Sequence, residues 1–438
     1  MCLRHEYINV ALRLLALFPV PCSLFPNYGG SMFSSKLAFV LTAVGAAVGL
    51  GNVFRFPYLA MKYGLSFVLV YVIFLCLLGL PLLLSEIAFG RAFREEMPDR
   101  KTALLSRFCS FNSFFVFGYY TLLFAFVIMA AVGSLSGDFS ALSALSEGSS
   151  SGGQMVNILF LIFAFAAALF CFGDAKRIGA ISTVSVIISL LIIVSLALFR
   201  AFLFPESLEP LFRVDFSCFS DVNFWFDALS QVFFSLSVAI GVLTAYGALL
   251  KKGESIVLCG IYIAAIDLLV SLFAAVIYAT VGGRVDGLFD SFSVYPKAFF
   301  ELGSIGPFLC FLFYISLGFL CLDSVVSFLK SSVCFLYPKR LKKEETAATV
   351  LTLFAFAFAL VLLLMGAKEG ISFVDGKITP TLILLGGLSL TVIFSKKEIF
   401  ASVKRELGLG KFYRIFRALV CRVAPVFIIF LLLAQIFL

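Results

Sequence analysis

Thr42-Ala43-Val44-Gly45-Ala46-Ala47-Val48-Gly49-Leu50-Gly51-Asn52-Val53-Phe54-Arg55-Phe56-Pro57 is the stretch on which the reading of this chain turns. It lies inside an apolar run, yet it carries three glycines, a proline, an amide and a guanidinium. Gly45 and Gly49 form G-x-x-x-G, a close-packing motif of membrane helices, and on that motif alone packing is the simpler reading. Packing does not account for Asn52 and Arg55, because an ionised side chain at the bilayer centre costs about 2.5–3.5 kcal/mol on insertion scales. A helix interrupted here exposes carbonyls and N–H groups at membrane depth, where they suit a cation and an anion.

The surrounding composition makes lipid the solvent. The 438 residues are 62% hydrophobic and 13% charged, with a mean hydropathy of +1.11, whereas soluble chains are about half apolar and a quarter charged. A water-facing globule needs polar residues to cover its outside. Long unbroken apolar runs, in place of strict alternation, favour a bundle of helices over an outer-membrane barrel. The single histidine, His5, leaves almost no material for histidine-based acid–base or metal chemistry. The eleven cysteines are scattered without a C-x-x-C pair and read as small buried hydrophobes. No G-x-x-x-x-G-K-[ST] loop supplies an ATP motor, and no catalytic histidine or metal cluster supports a membrane enzyme.

Apolar stretches of about 18 residues or more mark eleven candidate spans, at approximately 37–62, 65–89, 112–134, 155–172, 178–203, 223–250, 256–282, 306–336, 347–366, 378–395 and 417–438. With the N-terminus inside, the inner loops collect Arg91, Arg94, Lys176, Arg177, Lys251, Lys252, Lys339, Arg340, Lys396, Lys397 and their basic neighbours. The outer loops hold Lys62, Arg200, Arg213, Arg284, Lys297, Lys368 and Lys377. That bias of roughly three to one satisfies the positive-inside rule and places the C-terminus outside. The net charge of +8 is therefore topological, and nucleic acid is not the expected partner.

Three connecting segments are read more simply. Residues 1–31 hold a short apolar run broken by Pro19, Pro21 and Pro26; with Met32 just before the first span, an over-extended start is the first reading and a signal peptide the second. The loop 135–154, rich in Ser and Gly, reads as a flexible outer linker. Between Ser395 and Leu407, Ile399, Phe400, Val403 and Leu407 recur at helical spacing among lysines, which suits a short helix on the inner surface.

Span six offers a second break, Ser235-Leu236-Ser237-Val238-Ala239-Ile240-Gly241, and spans one and six are where an inverted five-plus-five repeat places corresponding broken helices. Glu86, Asp267 and Asp323 lie in apolar context in spans two, seven and eight. Three acids beside two breaks suggest an ion site. The run Gly45 to Tyr58, with Glu86 and Gly90-Arg91, Gln231 to Ser237, Val294-Tyr295-Pro296 and Leu322-Asp323-Ser324, resembles the neurotransmitter:sodium symporter family, and the matches extend from about residue 36 to 395. The resemblance implies an all-α membrane protein of eleven transmembrane helices. Repeat one would cover 32–204, repeat two 205–395, and an inner-surface helix with the last span 396–438. Eleven spans in place of the family's frequent twelve match its shorter bacterial relatives.

The resemblance also implies a set of sites. One sodium ion would take the carbonyls of Gly45, Val48 and Leu320 with the side chains of Asp323 and Ser324. The second would take the Ala47 carbonyl, Asn52, Ser235, Asp267 and the substrate's own carboxylate, so that ion and substrate raise each other's affinity. That carboxylate would meet the N–H groups of Leu50 and Gly51 at a half-helix N-terminus, with its partial positive charge, and the Tyr120 hydroxyl. The amine would meet carbonyls of Ala47, Phe234 and Ser235. Monoamine carriers of the family have an aspartate where this chain has Gly49, so the pattern here points to amino acids. Val116, Phe234, Ser237, Ile240 and Phe328 would line the side-chain pocket, whose apolar character favours a hydrophobic or aromatic amino acid. Arg55 and Asp375 match the pair that closes the outer vestibule, Phe234 and Tyr120 the lid beneath it, and the Tyr295-Pro296 loop the cap above. Glu86 would accept bonds from N–H groups freed in the span-six break.

Two departures from the family pattern carry consequences. Tyr71, Gln231, Ser235 and Ser271 stand where the family binds chloride, but the neighbouring sodium ligand, usually Asn, is Asp267; its fixed charge would replace chloride. The N-terminal arginine that helps to close the inside is not recognisable, and Lys36 is its nearest substitute. The expected function is sodium-coupled amino-acid symport across a bacterial inner membrane, with no cofactor beyond the coupling ions. A channel or a non-transporting amino-acid sensor on the same scaffold is the alternative, since fold alone does not fix function.

Overall fold

The structure, a computed structural model, describes residues 32–95, 100–137, 139–147, 153–251, 253–282, 288–336, 344–394, 401–407 and 410–437. The expected N-terminal segment 1–31 and the basic connection 337–343 lie outside the described residues, as does the first half of the expected surface helix 395–407. The described residues form helices and connecting turns, with no strand among them.

The first span is interrupted as its composition demands. Helix α1, Lys36–Ala47, starts at Ser35, whose Oγ accepts the Ala38 N–H (3.1 Å), and ends at Val48, which turns extended. The chain resumes as α2, Gly51–Tyr63, bent by 65° from α1. Asn52 reaches back to accept the Gly49 N–H (3.1 Å), in the manner of a capping box, so the break carries its own N-terminal cap. Pro57 has no N–H to give the Val53 carbonyl four residues earlier. The Tyr295 hydroxyl donates to that carbonyl instead (3.2 Å).

Helices α3 (Leu65–Ala92), α4 (Phe108–Ser136), α5 (Gly153–Cys171) and α6 (Ala175–Leu203) follow, each at least 19 residues long and so about 28 Å or more at 1.5 Å per residue, close to the hydrocarbon thickness. Next come α7 (Val222–Ser235) and α8 (Val242–Leu249), the two pieces of the expected sixth span. Then α9 (Ile256–Ala279), a short α10 (Ser291–Phe300), α11 (Gly303–Val333), α12 (Glu344–Leu364), α13 (Ala367–Phe394), a short α14 (Ala401–Leu407) and α15 (Lys411–Gln435) complete the order. Among the described residues nine helices are long and apolar enough to cross a membrane, ten when α1 and α2 count as one. The α7 and α8 pair does not enter that number, because each piece is too short to cross alone.

Helix α4 runs through the middle, with 78% of its apolar window buried, whereas α5 has 28% buried and turns Leu159, Ile162, Phe163 and Phe170 outward. Such one-sided exposure is what a helix facing lipid requires. Three expectations change. The loop 135–154 is not simply a linker: Phe139–Ser146 is helical, because Leu142 and Leu145 bury themselves there. Tyr295-Pro296 lies within a helix, α10, and not in an irregular loop. Arg200, read as an outer-loop charge, is 1% exposed. Its guanidinium donates to the Thr280 hydroxyl (2.6 Å), the Thr280 carbonyl (2.6 Å) and the Ala298 carbonyl (3.3 Å), tying α6 to the ends of α9 and α10.

Candidate ion and substrate site

The two helix breaks face one cavity of about 410 Å³. Ala47, Gly49, Leu50, Gly51 and Asn52 line it from the first break, Phe234, Ser237 and Ile240 from the second, and Val116, Tyr120, Ser324 and Phe328 from α4 and α11. The Tyr120 hydroxyl accepts the Leu50 N–H (3.0 Å). A Cβ at position 49 would lie 2.4 Å from that hydroxyl, so a larger residue there must displace Tyr120. Phe328 meets the Tyr120 ring edge to face at 5.5 Å, which gives the cavity an aromatic wall.

Beside the cavity lie two buried acids. Asp267 is 0% exposed and takes bonds from three neutral donors: Ser235 Oγ (2.5 Å), Asn52 Nδ2 (2.8 Å) and the Tyr71 hydroxyl (3.4 Å). The same Asn52 amide nitrogen stands 2.8 Å from Ser235 Oγ and 2.9 Å from Ser271 Oγ. Asn52 therefore offers its nitrogen to this corner and its oxygen to the Gly49 N–H; a cation entering here requires the amide to turn over. Gln231 donates to the Gly51 carbonyl (3.2 Å) while its own side-chain oxygen is buried with no hydrogen-bond partner. Tyr71, Gln231, Ser235 and Ser271 thus gather around the first break.

Asp323 is 3% exposed, and its two carboxylate oxygens are taken by Ser182 (3.0 Å) and Ser185, both on α6. Next to it, Ser324 Oγ donates to the Gly45 carbonyl (2.9 Å). A Cβ on Gly45 would meet Asp323 Oδ2 at 2.9 Å, so α1 and α11 touch at this point. Val48, extended after the last turn of α1, and Leu320, one turn before Ser324, are both buried. Neither Asp267 nor Asp323 has a lysine or arginine within ion-pair distance among the described residues. A buried carboxylate in that condition is costly, and protonation or a small cation held by hard oxygens relieves the cost.

Glu86 has a different task. Fully buried, it accepts the N–H groups of Ala239 (3.0 Å) and Gly241 (3.1 Å) and the Thr244 hydroxyl (3.4 Å). Those donors are free because Ser237, Ala239 and Gly241 have φ of 48°, 71° and 93°, a left-handed stretch that no helix ladder can satisfy. One non-glycine residue held this way costs on the order of 1–3 kcal/mol, which the bonds to Glu86 offset.

At one end the cavity is open. Arg55 donates to Ser230 (2.8 Å) and lies 4.8 Å over the Phe234 ring, while Asp375 accepts from the Tyr119 hydroxyl (3.0 Å). The pairing expected of Arg55 with Asp375 is a direct or water-mediated bridge; no direct ion pair joins them among the described residues, and both line the open cavity. Beyond them a second hollow, of about 360 Å³, shares Phe226, Asp227, Gly376 and Gln435 with the first, so the site continues to the surface.

The opposite end, where Arg91, Lys251 and Lys330 lie, is packed shut. Phe33 is 1% exposed and meets Tyr246 edge to face at 5.6 Å, and the Tyr246 hydroxyl donates to Ser327 (2.6 Å). Lys330, buried two helical turns beyond Asp323, pairs with Glu344. On α14, Glu406 accepts the N–H groups of Ile256 (2.9 Å) and Val257 (3.0 Å) and thereby caps α9. Lys36, the substitute for the missing arginine, stands 4.9 Å over the Tyr262 ring. Sequence reasoning missed Ser182, Ser185, Tyr119, Lys330 and Glu406. A serine repeat at 182, 185 and 189 and a lysine seven residues after Asp323 were the available signals.

Comparison with known proteins gives the family and the fold. The sequence pattern of the sodium:neurotransmitter symporter family matches residues 31–141 and 137–438. An uncharacterised sodium-dependent transporter from Bacillus subtilis is 25% identical over 415 residues, covering 86% of this chain and 91% of its own length. One from Methanocaldococcus jannaschii is 26% identical over 359 residues, covering 74% and 73%. The sodium-dependent neutral amino acid transporter B(0)AT1 of mouse is 27% identical over 303 residues, 59% of this chain and 47% of that one. The crystal structure of MhsT in complex with L-phenylalanine shares the fold, with a TM-score of 0.79 over 93% of this chain and all of that one, at 22% identity. The chain belongs to the sodium:neurotransmitter symporter family, and is an integral membrane transporter and not an enzyme.

Proposed function

We propose that the chain is a sodium-coupled symporter that imports a hydrophobic or aromatic amino acid by alternating access. The observation that carries this reading is the pair of buried carboxylates, Asp267 and Asp323, each without a cationic partner among the described residues, the first bonded to the cavity-lining Asn52 and the second next in sequence to the cavity-lining Ser324. In this reading Gly45, Val48, Leu320, Asp323 and Ser324 hold one sodium ion. Ala47, Asn52, Ser235 and Asp267 hold the other, together with the substrate carboxylate. That carboxylate takes the N–H groups of Leu50 and Gly51, replacing or sharing the Tyr120 hydroxyl already on Leu50. The amine faces the carbonyl end of the first break.

Side-chain preference follows from the wall of Val116, Phe234, Ile240 and Phe328. The phenylalanine bound by MhsT and the neutral amino acids carried by B(0)AT1 support the same substrate class. The α7 and α8 pair counts here as one broken span, which makes eleven spans and lets 32–204 and 205–395 correspond as inverted repeats. With the basic end in the cytoplasm, the N-terminus inside a bacterial inner membrane and the C-terminus outside, the open vestibule faces outward. Closing it brings Arg55 to Asp375, and rocking of α1–α3 with α7–α9 against the rest opens the other end. Asp267 supplies the negative charge beside Tyr71, Gln231, Ser235 and Ser271, so chloride is not needed.

Purified protein titrated with the twenty amino acids in sodium and then in potassium tests this. Binding of a subset of hydrophobic or aromatic amino acids only in sodium is expected. Equal binding in both salts would remove the coupling and leave the sensor reading.

A further inference from the structure

We propose that Ser182 and Ser185 are positioning residues of the Asp323 ion site, extending that site to α6. The inference rests on the reading of Asp323 and Ser324 as sodium ligands. Serines in apolar helices ordinarily bond the carbonyl one turn back. Ser85 does so to Pro81 (2.8 Å) and Thr183 to Gly179 (2.6 Å). Ser182 departs from that habit and donates a hydrogen bond to Asp323 Oδ1 (3.0 Å), while Ser185 donates to Oδ2, a shorter contact than the one its hydroxyl makes with the Ser182 carbonyl (3.4 Å). The two lie three residues apart, on one face of α6, so together they grip both oxygens of a single carboxylate.

Three helices meet at this grip. A Cβ on Gly45 would lie 2.9 Å from Asp323 Oδ2 and 3.0 Å from Val186 Cγ2, so the last turn of α1 presses on the acid and on the residue next to Ser185 at once. Ser182 and Ser185 are 2% and 4% exposed, so bulk water does not reach the carboxylate past them. Two hydroxyl donors fix the plane of the carboxylate and keep it an acceptor beside Gly45, whose carbonyl Ser324 also touches. Without them a buried carboxylate must find other donors or turn away before an ion can bind.

The test measures uptake against sodium concentration for Ser182→Ala, Ser185→Ala, the double variant, Ser185→Thr and Asp323→Ala. Loss of one bond to a charged group is expected to raise half-saturating sodium about tenfold. The substrate half-saturation at saturating sodium stays within about twofold, and Ser185→Thr restores the wild-type value. Wild-type sodium dependence in a transporting double variant would overturn the proposal. So would a joint shift of sodium and substrate affinity that threonine does not rescue, since that is the mark of a purely structural role. If the double variant does not reach the membrane, Ser182→Ala alone decides between the same outcomes. Unchanged sodium activation in Asp323→Ala would instead bring down the underlying ion-site reading.

Discussion

Asp267 and Asp323 are both buried acids one residue removed from the same cavity, but their partners come from different parts of the molecule. Asp267 on α9 is bonded by Asn52 on α2, Tyr71 on α3 and Ser235 at the end of α7. All four belong to the group of helices proposed to rock together. Asp323 on α11 is gripped by α6, and its neighbour Ser324 reaches across to Gly45 on α1. On the proposed rocking motion the first corner would stay intact, whereas the second would straddle the dividing line. An ion at Asp267 would then travel with the substrate, and an ion at Asp323 would join the moving part to the frame and favour the shape in which α1 lies against α11.

The comparison can be broken at either corner. Asp323→Ala has the largest expected effect: removing a buried charge that faces a cation costs about 3–5 kcal/mol, so half-saturating sodium for uptake should rise by on the order of a hundredfold or more. Sodium activation at the wild-type concentration would place the straddling site elsewhere. Asn52→Ala comes next, because the residue serves Asp267 and caps Gly49 together. Here sodium and substrate half-saturation should worsen in parallel, by about ten- to thirtyfold each. A shift in sodium alone would separate that corner from the substrate.

Gly49→Ala sharpens the contrast further. Its Cβ would sit 2.4 Å from the Tyr120 hydroxyl, so substrate affinity should fall about tenfold with the sodium dependence of the Asp323 site unaltered. Equal substrate affinity in competition binding would mean that Tyr120 moves freely. The smallest effect is on anions. Replacing chloride by gluconate should change wild-type uptake less than about twofold, whereas Asp267→Asn, which removes the fixed charge, should make uptake chloride-sensitive by about fivefold. Near-total loss of wild-type uptake without chloride would contradict the role given to Asp267.

Much of this arrangement is legible from the residues. Gly49, Gly51, Asn52 and Pro57 are poor choices for an unbroken apolar helix, so the first break announces itself. Glu86, Asp267 and Asp323 are conspicuous because lipid makes every unpaired acid expensive. Ser182 and Ser185 are not conspicuous: most serines in such helices satisfy themselves, and nothing in the spacing says which ones turn to a neighbour. Arg200 and Lys330 fall near the ends of apolar runs, where a long cationic side chain usually reaches water; only tertiary packing places them inside. The helix Phe139–Ser146 is masked by Ser and Gly, although Leu142 and Leu145 supply its buried face. The separation of Arg55 from Asp375 is a property of one conformation, which the residue types do not encode.

Sodium-driven accumulation is the most direct measurement. The protein is reconstituted in liposomes loaded with potassium and diluted into sodium, and a radiolabelled hydrophobic amino acid is followed over time. The account predicts uptake to a transient internal concentration well above the external one, abolished when a sodium ionophore collapses the gradient. Equilibration without overshoot, or uptake indifferent to the sodium gradient, would contradict it.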